Sequence, residues 1–236
     1  MAAFALTGCT WGGEHTFDLT IQLPMEPQSK DSLPSKPSTV TIVAYLAGDY
    51  AHNTTEVFEN VPAGTRSLPI TLGGIPLGKS TVVIEAKADW KNNYNDDLST
   101  GYYGEEEITV TGGVNTYTVD MDYGVIVACN ENFYSKEMDS NNGVSDPSQQ
   151  IGEPPLAKGE FLILRKGKKP SQQRNFASRL PYNLTAEGYK FEGYVIDMQI
   201  GSFTSLDRVT APDDDSNNPY SSGDQEWTLY SVWTRQ

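Results

Sequence analysis

Short segments of alternating apolar and polar residues dominate the first half of the chain. A period of two is typical of half-buried β-strands, because successive side chains point to opposite faces of a sheet. The last two of these segments are expected to form a hairpin across Gly112 and Gly113. The pattern predicts about seven short strands in an antiparallel β-sandwich, at residues 17–23, 40–46, 68–72, 82–88, 108–110 and 117–121, with a weaker one at 55–61.

A loop and a change in charge delimit this first half. Residues 24–37 contain four prolines, which predicts an irregular loop. Residues 1–128 hold 16 acidic and 6 basic residues, whereas residues 129–236 hold 15 and 11. We therefore expect a sandwich domain over residues 10–124 and a second domain over residues 125–236.

The second half of the chain predicts a smaller β domain with one short helix. The apolar run at residues 161–164 and the alternating residues 189–195 are typical of strands. Between them, Pro170 is suited to open a helix that extends to Leu180. We expect this helix to bury one face and assign three large side chains to the core, Phe176, Leu180 and Trp233.

Charge and the absence of reactive motifs exclude several classes of protein. The formal net charge is −14, and nucleic acid is an unsuitable partner because phosphate binding needs a positive surface. No later segment is long and apolar enough to span a bilayer. His15 and His52 stand in no metal or nucleophile motif. We therefore expect a non-catalytic, monomeric protein without a cofactor.

The amino terminus indicates where the protein works. Leu6-Thr7-Gly8-Cys9 resembles the lipobox of bacterial lipoproteins, which implies a lipid at Cys9 as the sole membrane anchor and a location at the bacterial cell envelope, in the outer membrane or on the surface. Residues 1–9 would be the remnant of a signal peptide, and its shortness predicts a start further upstream or a trimmed leader. The alternative is a soluble amino terminus with an isolated cysteine. A lipidated Cys9 would leave Cys129 without a disulfide partner.

Turn sequences of the first half resemble those of known modules. Residues 60–64, 75–84 and 109–116 combine Pro or Gly turns with alternating strands. They resemble carboxypeptidase regulatory-like and related immunoglobulin-like modules over roughly residues 17–123. The resemblance implies an immunoglobulin-like sandwich.

The end of the chain resembles a second family. The segments GYKFEGY at 188–194 and TLYSVW at 228–233 resemble the two strands of the internalin B-repeat family, also called the Listeria/Bacteroides repeat. Tyr194 stands where the family usually has Trp. The resemblance implies a small β-grasp-like domain with one short helix over residues 125–236. A single copy predicts no extended stalk of repeats.

One candidate ligand site is a loop with several aromatic residues. The rings lie in or beside the Asn- and Asp-rich residues 91–101, where aromatic faces next to amides would suit sugar binding. The favoured interpretation is that this loop closes over the end of the sandwich and the rings pack there. The residues concerned are Trp90, Tyr94, Tyr102 and Tyr103.

Two further candidates are charged. A cluster of basic residues could contact an anionic polysaccharide or lipid head groups, or could simply be solvated. It comprises Arg165, Lys166, Lys168, Lys169, Arg174 and Arg179. An acidic loop partly fits a twelve-residue calcium loop, although Asn218 replaces its glycine, and a solvated acidic turn is the favoured interpretation. Its candidate ligands are Asp213, Asp215, Asn217 and Asp224.

Together these observations predict a lipid-anchored protein of the bacterial cell envelope that acts as a non-catalytic binding or adhesion module. Its ligand would be a protein or a glycan. The alternatives are a carbohydrate-binding accessory protein, which would use the Trp90 loop, and a structural spacer without a ligand.

Overall fold

The computed structural model describes residues 15–24, 38–62, 64–91, 97–111, 115–138, 144, 149–197, 203–211 and 226–236. In these residues strands predominate, which confirms the prediction of a mainly β fold. The helical segments are short: the 3₁₀ turns Pro170–Gln172 and Leu206–Arg208, and α1, Arg174–Ser178. The strands are β1 (His15–Gln22), β2 (Ser38–Leu46), β3 (Asp49–Val61), β4 (Ser67–Ile75), β5 (Gly78–Lys91), β6 (Asp97–Val110), β7 (Asn115–Asp120), β8 (Asp122–Cys129), β9 (Ser135–Glu137), β10 (Phe161–Arg165), β11 (Tyr189–Asp197), β12 (Phe203–Ser205) and β13 (Glu226–Arg235).

Two sheets form the amino-terminal sandwich. The smaller has the strand order β4-β1-β7, and it packs against strands β3, β2, β5 and β6 of a ten-stranded sheet. Alternating side chains of both sheets fill one apolar core, and burying each of them contributes roughly 1.5–3 kcal/mol. The core includes Leu19, Ile42, Ile70, Ile84 and Ile108, each at most 2% exposed. The predicted sandwich is therefore confirmed.

The connection between β6 and β7 differs from the prediction. β7 pairs in parallel with β1 in the smaller sheet, whereas β6 lies between β5 and β8 in the larger one. The hairpin predicted across Gly112 and Gly113 is therefore wrong, since the chain passes from one sheet to the other. β6 also begins at Asp97, so the end of the expected aromatic loop belongs to a 14-residue strand.

The expected domain boundary lies inside β8. At its start β8 pairs with β6, from Tyr103 opposite Asp122 to Gly101 opposite Gly124. Its later residues pair antiparallel with β10 and parallel with β13. A single sheet thus continues from the first half into the second, and the division at residues 124 and 125 stays a prediction.

The second half extends this sheet in the order β8-β13-β11-β12, with β9 beside β13 and β10 beside β8. α1 follows the turn that Pro170 opens, as predicted for the short helix. The three predicted core side chains are buried: Phe176 and Trp233 are 0% exposed and Leu180 is 2% exposed. No helix in the described part of the chain is both long and apolar enough to cross a membrane.

Two glycines allow the halves to approach closely. A Cβ on Gly101 would lie 2.6 Å from the carbonyl oxygen of Gly124, and a Cβ on Gly124 would lie 2.4 Å from Cγ2 of Ile163. Side chains from both halves meet here in a separate core, which packs the outer face of β2, β5 and β6 against β8 and β10. Its members are Val43, Tyr45, Val83, Tyr103, Ile126, Phe161 and Ile163.

Candidate functional site

A polar cleft of about 320 Å³ opens where the two halves meet. One wall comes from the sandwich, around β5, β6 and the turn after β2. The other comes from the end of β10, the 3₁₀ turn and α1. The cleft is lined by Ala47, Thr81, Tyr103, Glu105, Arg165, Lys168, Gln172, Gln173 and Asn175.

The two cations of the cleft, Arg165 and Lys168, belong to a turn at the end of β10 that hydrogen bonds from a buried side chain stabilise. Gln173 is 5% exposed; its Oε1 accepts the Arg165 N–H at 2.7 Å and its Nε2 donates to the Ile163 carbonyl at 2.6 Å. Lys168 N–H donates to the Arg165 carbonyl at 3.0 Å. The side chains of Arg165 and Lys168 are free of ion pairs with any described residue. Two positive charges are therefore available in the cleft.

The cleft also holds neutral hydrogen-bonding groups and one carboxylate, with Tyr103 and Glu105 on the sandwich wall and Asn175 on the wall of α1. The Tyr103 hydroxyl donates to Glu105 Oε2 at 3.0 Å, and Asn175 Oδ1 accepts the Gly48 N–H at 3.1 Å. Burial raises the pKa of Tyr103, and the charge of Glu105 raises it further. The phenol therefore stays protonated and acts as a donor.

A buried ion pair lies beneath the cleft and joins the two halves. Arg179 Nη1 donates to Oε2 of Glu85, whose other oxygen accepts the Tyr45 hydroxyl at 2.9 Å. Arg179 Nη2 donates to the Tyr50 hydroxyl at 2.8 Å and to the Phe161 carbonyl at 2.9 Å. The Glu85 and Arg179 side chains are 0% and 2% exposed. This network links β2, β3 and β5 to β10 and the residue that follows α1.

The electrostatics of this pair follow from burial and proximity. Burial raises the pKa of Glu85, and the Arg179 guanidinium and the Tyr45 hydrogen bond oppose that rise. For Arg179, burial acts to lower the pKa, but Glu85 and the nearby tyrosines outweigh it, so that pKa is raised. The raised pKa of Glu85 favours a neutral carboxyl and thus a neutral partner for Arg179, whereas the raised pKa of Arg179 favours the charged pair. We assign the ionised pair, because an arginine does not deprotonate in proteins and Glu85 accepts a charge-assisted hydrogen bond from it.

The structure divides the predicted basic cluster. Arg165 and Lys168 line the cleft, whereas Lys169 is exposed and Lys166 half-buried, both outside the lining. Arg174 lies in α1, and its side chain is outside the described part. The assignment of Arg179 to the basic cluster is wrong, because its side chain is buried against Glu85 and cannot contribute to a basic surface.

The three described aromatic residues are packed inside the protein and do not form the candidate sugar-binding surface. Trp90, Tyr102 and Tyr103 are only 5%, 8% and 2% exposed. Trp90 Nε1 donates to Thr100 Oγ1 at 2.9 Å, inside the sandwich core. Tyr102 and Tyr103 are neighbours on β6 and therefore enter opposite cores. These three rings present no face to a sugar; Tyr94 lies outside the described residues.

The remaining candidates lie outside the described residues: Cys9 and all four calcium-loop residues, Asp213, Asp215, Asn217 and Asp224. Among the residues that are described, no group of three or more His, Cys, Asp or Glu side chains is arranged to hold a metal ion. Cys129 is a free thiol, and burial raises its pKa to about 11.

The sequence contained signals for part of what the prediction missed. Glu85 and Lys87 are the two charges within the otherwise apolar stretch Val82–Ala88, and a buried strand tolerates a charge only with a partner. The partner of Glu85, Arg179, is 94 residues away and lies in a charge cluster, so the pairing itself has no sequence signal. Gln173 and Asn175 also have no sequence signal, because their roles depend on hydrogen bonds to Arg165, Ile163 and Gly48 in the folded chain.

The comparisons with known proteins give no family assignment for this chain and a weak structural similarity. No protein-family model matches the chain, and no curated protein matches its sequence. One solved structure with some similarity is a DUF4876 family protein from Bacteroides thetaiotaomicron, at 13% identity and a TM-score of 0.26. That match covers 54% of this chain and 29% of the other.

Proposed function

We propose that this protein is a non-catalytic binding module of the bacterial cell envelope, anchored by a lipid on Cys9, and that its junction cleft binds an acidic saccharide. The observation that carries the ligand proposal is the pair of cations, Arg165 and Lys168, which stand in a polar cleft without an anionic partner among the described residues. The resemblances of the two halves to immunoglobulin-like and B-repeat modules support a surface role.

The chemistry of the cleft suits a compact ligand with one anionic group. Arg165 can bind a carboxylate through two parallel hydrogen bonds, and Lys168 adds a point charge. The exposed Gln172 amide and the Glu105 carboxylate can respectively donate to and accept from hydroxyl groups. A volume of about 320 Å³ is at the small end of ligand sites. With a net charge of −14, the rest of the protein repels extended polyanions, so local recognition of a uronic acid is favoured.

Binding to an array of uronic-acid and neutral glycans tests this proposal. We expect the wild type to bind uronic-acid glycans and Arg165→Ala/Lys168→Ala to lose at least tenfold in affinity. The matched control is Lys79→Ala/Lys158→Ala, which removes the same charge from exposed residues that pair with Glu107 and Glu131. Equal binding by wild type and cleft variant, or no uronic-acid binding, would exclude the cleft as the site.

The anchor is tested separately. Expressed in a bacterial host behind a complete lipoprotein signal, the wild type should incorporate labelled fatty acid and partition into detergent, and Cys9→Ser should do neither. Labelling that persists in Cys9→Ser would contradict the anchor without affecting the cleft.

A further inference from the structure

Over residues 190–194, one edge of β11 has no neighbouring strand among the residues that the structure describes. On this side β12 pairs only with residues 195–197 of β11, from Val195 opposite Ser205 to Asp197 opposite Phe203. After Ser205 the chain turns into the 3₁₀ turn Leu206–Arg208 and leaves the sheet. Among the described residues, no strand pairs with residues 190–194 on this side. Backbone N–H and C=O groups of an open edge can accept an added strand.

A groove of about 510 Å³ follows this edge and reaches around both of its faces. On one face lie the apolar side chains of Met138, Val144 and Val232, the last of which is opposite Gly193 in the sheet. On the other face lie Phe191 and Tyr194, whose rings are 5.1 Å apart. Successive side chains of an added strand point to alternate faces, so each face would receive every second side chain.

A bulge in β11 opens the middle of the groove. The pairing with β13 shifts register between Phe191 and Gly193. Gly193 has φ of +134°, and a Cβ placed there would meet no heavy atom within 4 Å. Bare backbone therefore borders open space at the centre of the edge.

The rim of the groove is aromatic and acidic. Tyr182 is 63% exposed, which is unusual for a large ring. Among the described residues of the lining, Glu192 and Asp207 are charged and none is basic. Glu192 pairs with Lys190 at 3.0 Å, whereas the exposed Asp207 has no ion pair with a described residue. A basic side chain placed beside Tyr182 could contact both its ring and the Asp207 carboxylate.

We propose that this edge groove binds an extended peptide that adds antiparallel to β11, continuing the line of β12. Its backbone would pair with residues 190–194, and its side chains would alternate between apolar groups and Lys or Arg. Backbone pairing gives such complexes their affinity, and the pockets for alternate side chains give specificity. This site is separate from the junction cleft and does not depend on it.

Panning a random octapeptide library against the full chain tests the proposal. We expect enriched peptides to alternate apolar residues with Lys or Arg. The best of them should bind Tyr182→Ala/Asp207→Lys at least tenfold more weakly than wild type. The matched control is Leu77→Ala/Asp122→Lys, which makes equivalent changes at exposed residues outside the groove and should bind within twofold of wild type.

Backbone methylation separates strand addition from capture by side chains alone. A version of the best peptide methylated at alternate amide nitrogens keeps every side chain but loses the donors that face β11. We expect it to bind at least tenfold more weakly than the parent, and the parent to slow hydrogen exchange at amides within residues 190–194. The proposal is overturned by an absence of enrichment, by enrichment of acidic peptides, by equal binding of the methylated peptide, or by binding insensitive to Tyr182→Ala/Asp207→Lys.

Discussion

Removing Arg179 should destabilise the protein strongly and make its stability depend on pH. Arg179→Met keeps most of the apolar stem but removes the guanidinium that pairs with Glu85 and donates to Tyr50 and the Phe161 carbonyl. Glu85 is then a fully buried carboxyl whose remaining side-chain donor is the Tyr45 hydroxyl. Breaking a buried ion pair from one side costs about 3–5 kcal/mol, or about 6–20 °C in Tm for a chain of this size.

The pH dependence follows from the pKa of Glu85. Burial raises that pKa, and Arg179, which opposes the rise, is absent from the variant. Between the unfolded and folded pKa values the folded variant binds more protons than the unfolded chain, so its stability falls as pH rises. The loss in free energy of unfolding of Arg179→Met relative to wild type should therefore be larger at pH 8 than at pH 5.

Urea unfolding followed by tryptophan fluorescence at both pH values measures these effects. Glu85→Gln/Arg179→Met, which removes both charges of this buried pair, should be more stable than Arg179→Met. Lys87→Met is the control, on the same strand as Glu85. Its ion pairs with Asp89 and Glu226 at 3.4 Å are partly exposed, and losing them should lower the free energy of unfolding by less than about 1 kcal/mol. A deficit for Arg179→Met no larger than that of Lys87→Met, or one equal at both pH values, would refute the assignment of a buried ionised pair.

Three further predictions concern packing and reactivity. Gly124→Ala, whose Cβ would lie 2.4 Å from Ile163 Cγ2, should lower the free energy of unfolding by about 1–3 kcal/mol or more, whereas Gly73→Ala, with open space around its Cβ, should change it by less than about 0.5 kcal/mol. Trp90→Phe should cost about 1–3 kcal/mol in urea unfolding because it leaves the buried Thr100 hydroxyl without its indole donor; a loss of glycan binding with unchanged stability would contradict this core role. Mass spectrometry should show Cys129, with its pKa of about 11, alkylated by iodoacetamide at pH 8 about 100-fold more slowly in the folded than in the urea-unfolded protein, and equal rates would contradict its burial.

The local patterns of the sequence determined the elements with a clear period. Alternation in residues 40–46 and 82–88 corresponds to β2 and β5, because one face of each strand must meet the apolar core while the other has different neighbours. Pro170 opened the turn before α1 because its fixed φ suits the first position of a helical turn. Phe176, Leu180 and Trp233 were identifiable as core residues from their size and spacing.

Only the tertiary structure decided how these elements are paired and which charges meet. The sequence period is the same whether β7 pairs with β6 or with β1, so alternation could not exclude the wrong hairpin. A run of basic residues contains no information about which of them is buried. Arg179 is buried because it forms an ion pair with Glu85, which lies 94 residues earlier in the sequence and inside the protein. The junction cleft and the open edge of β11 depend on contacts between distant segments. Local sequence predicts strands, but long-range packing determines the cleft and the groove.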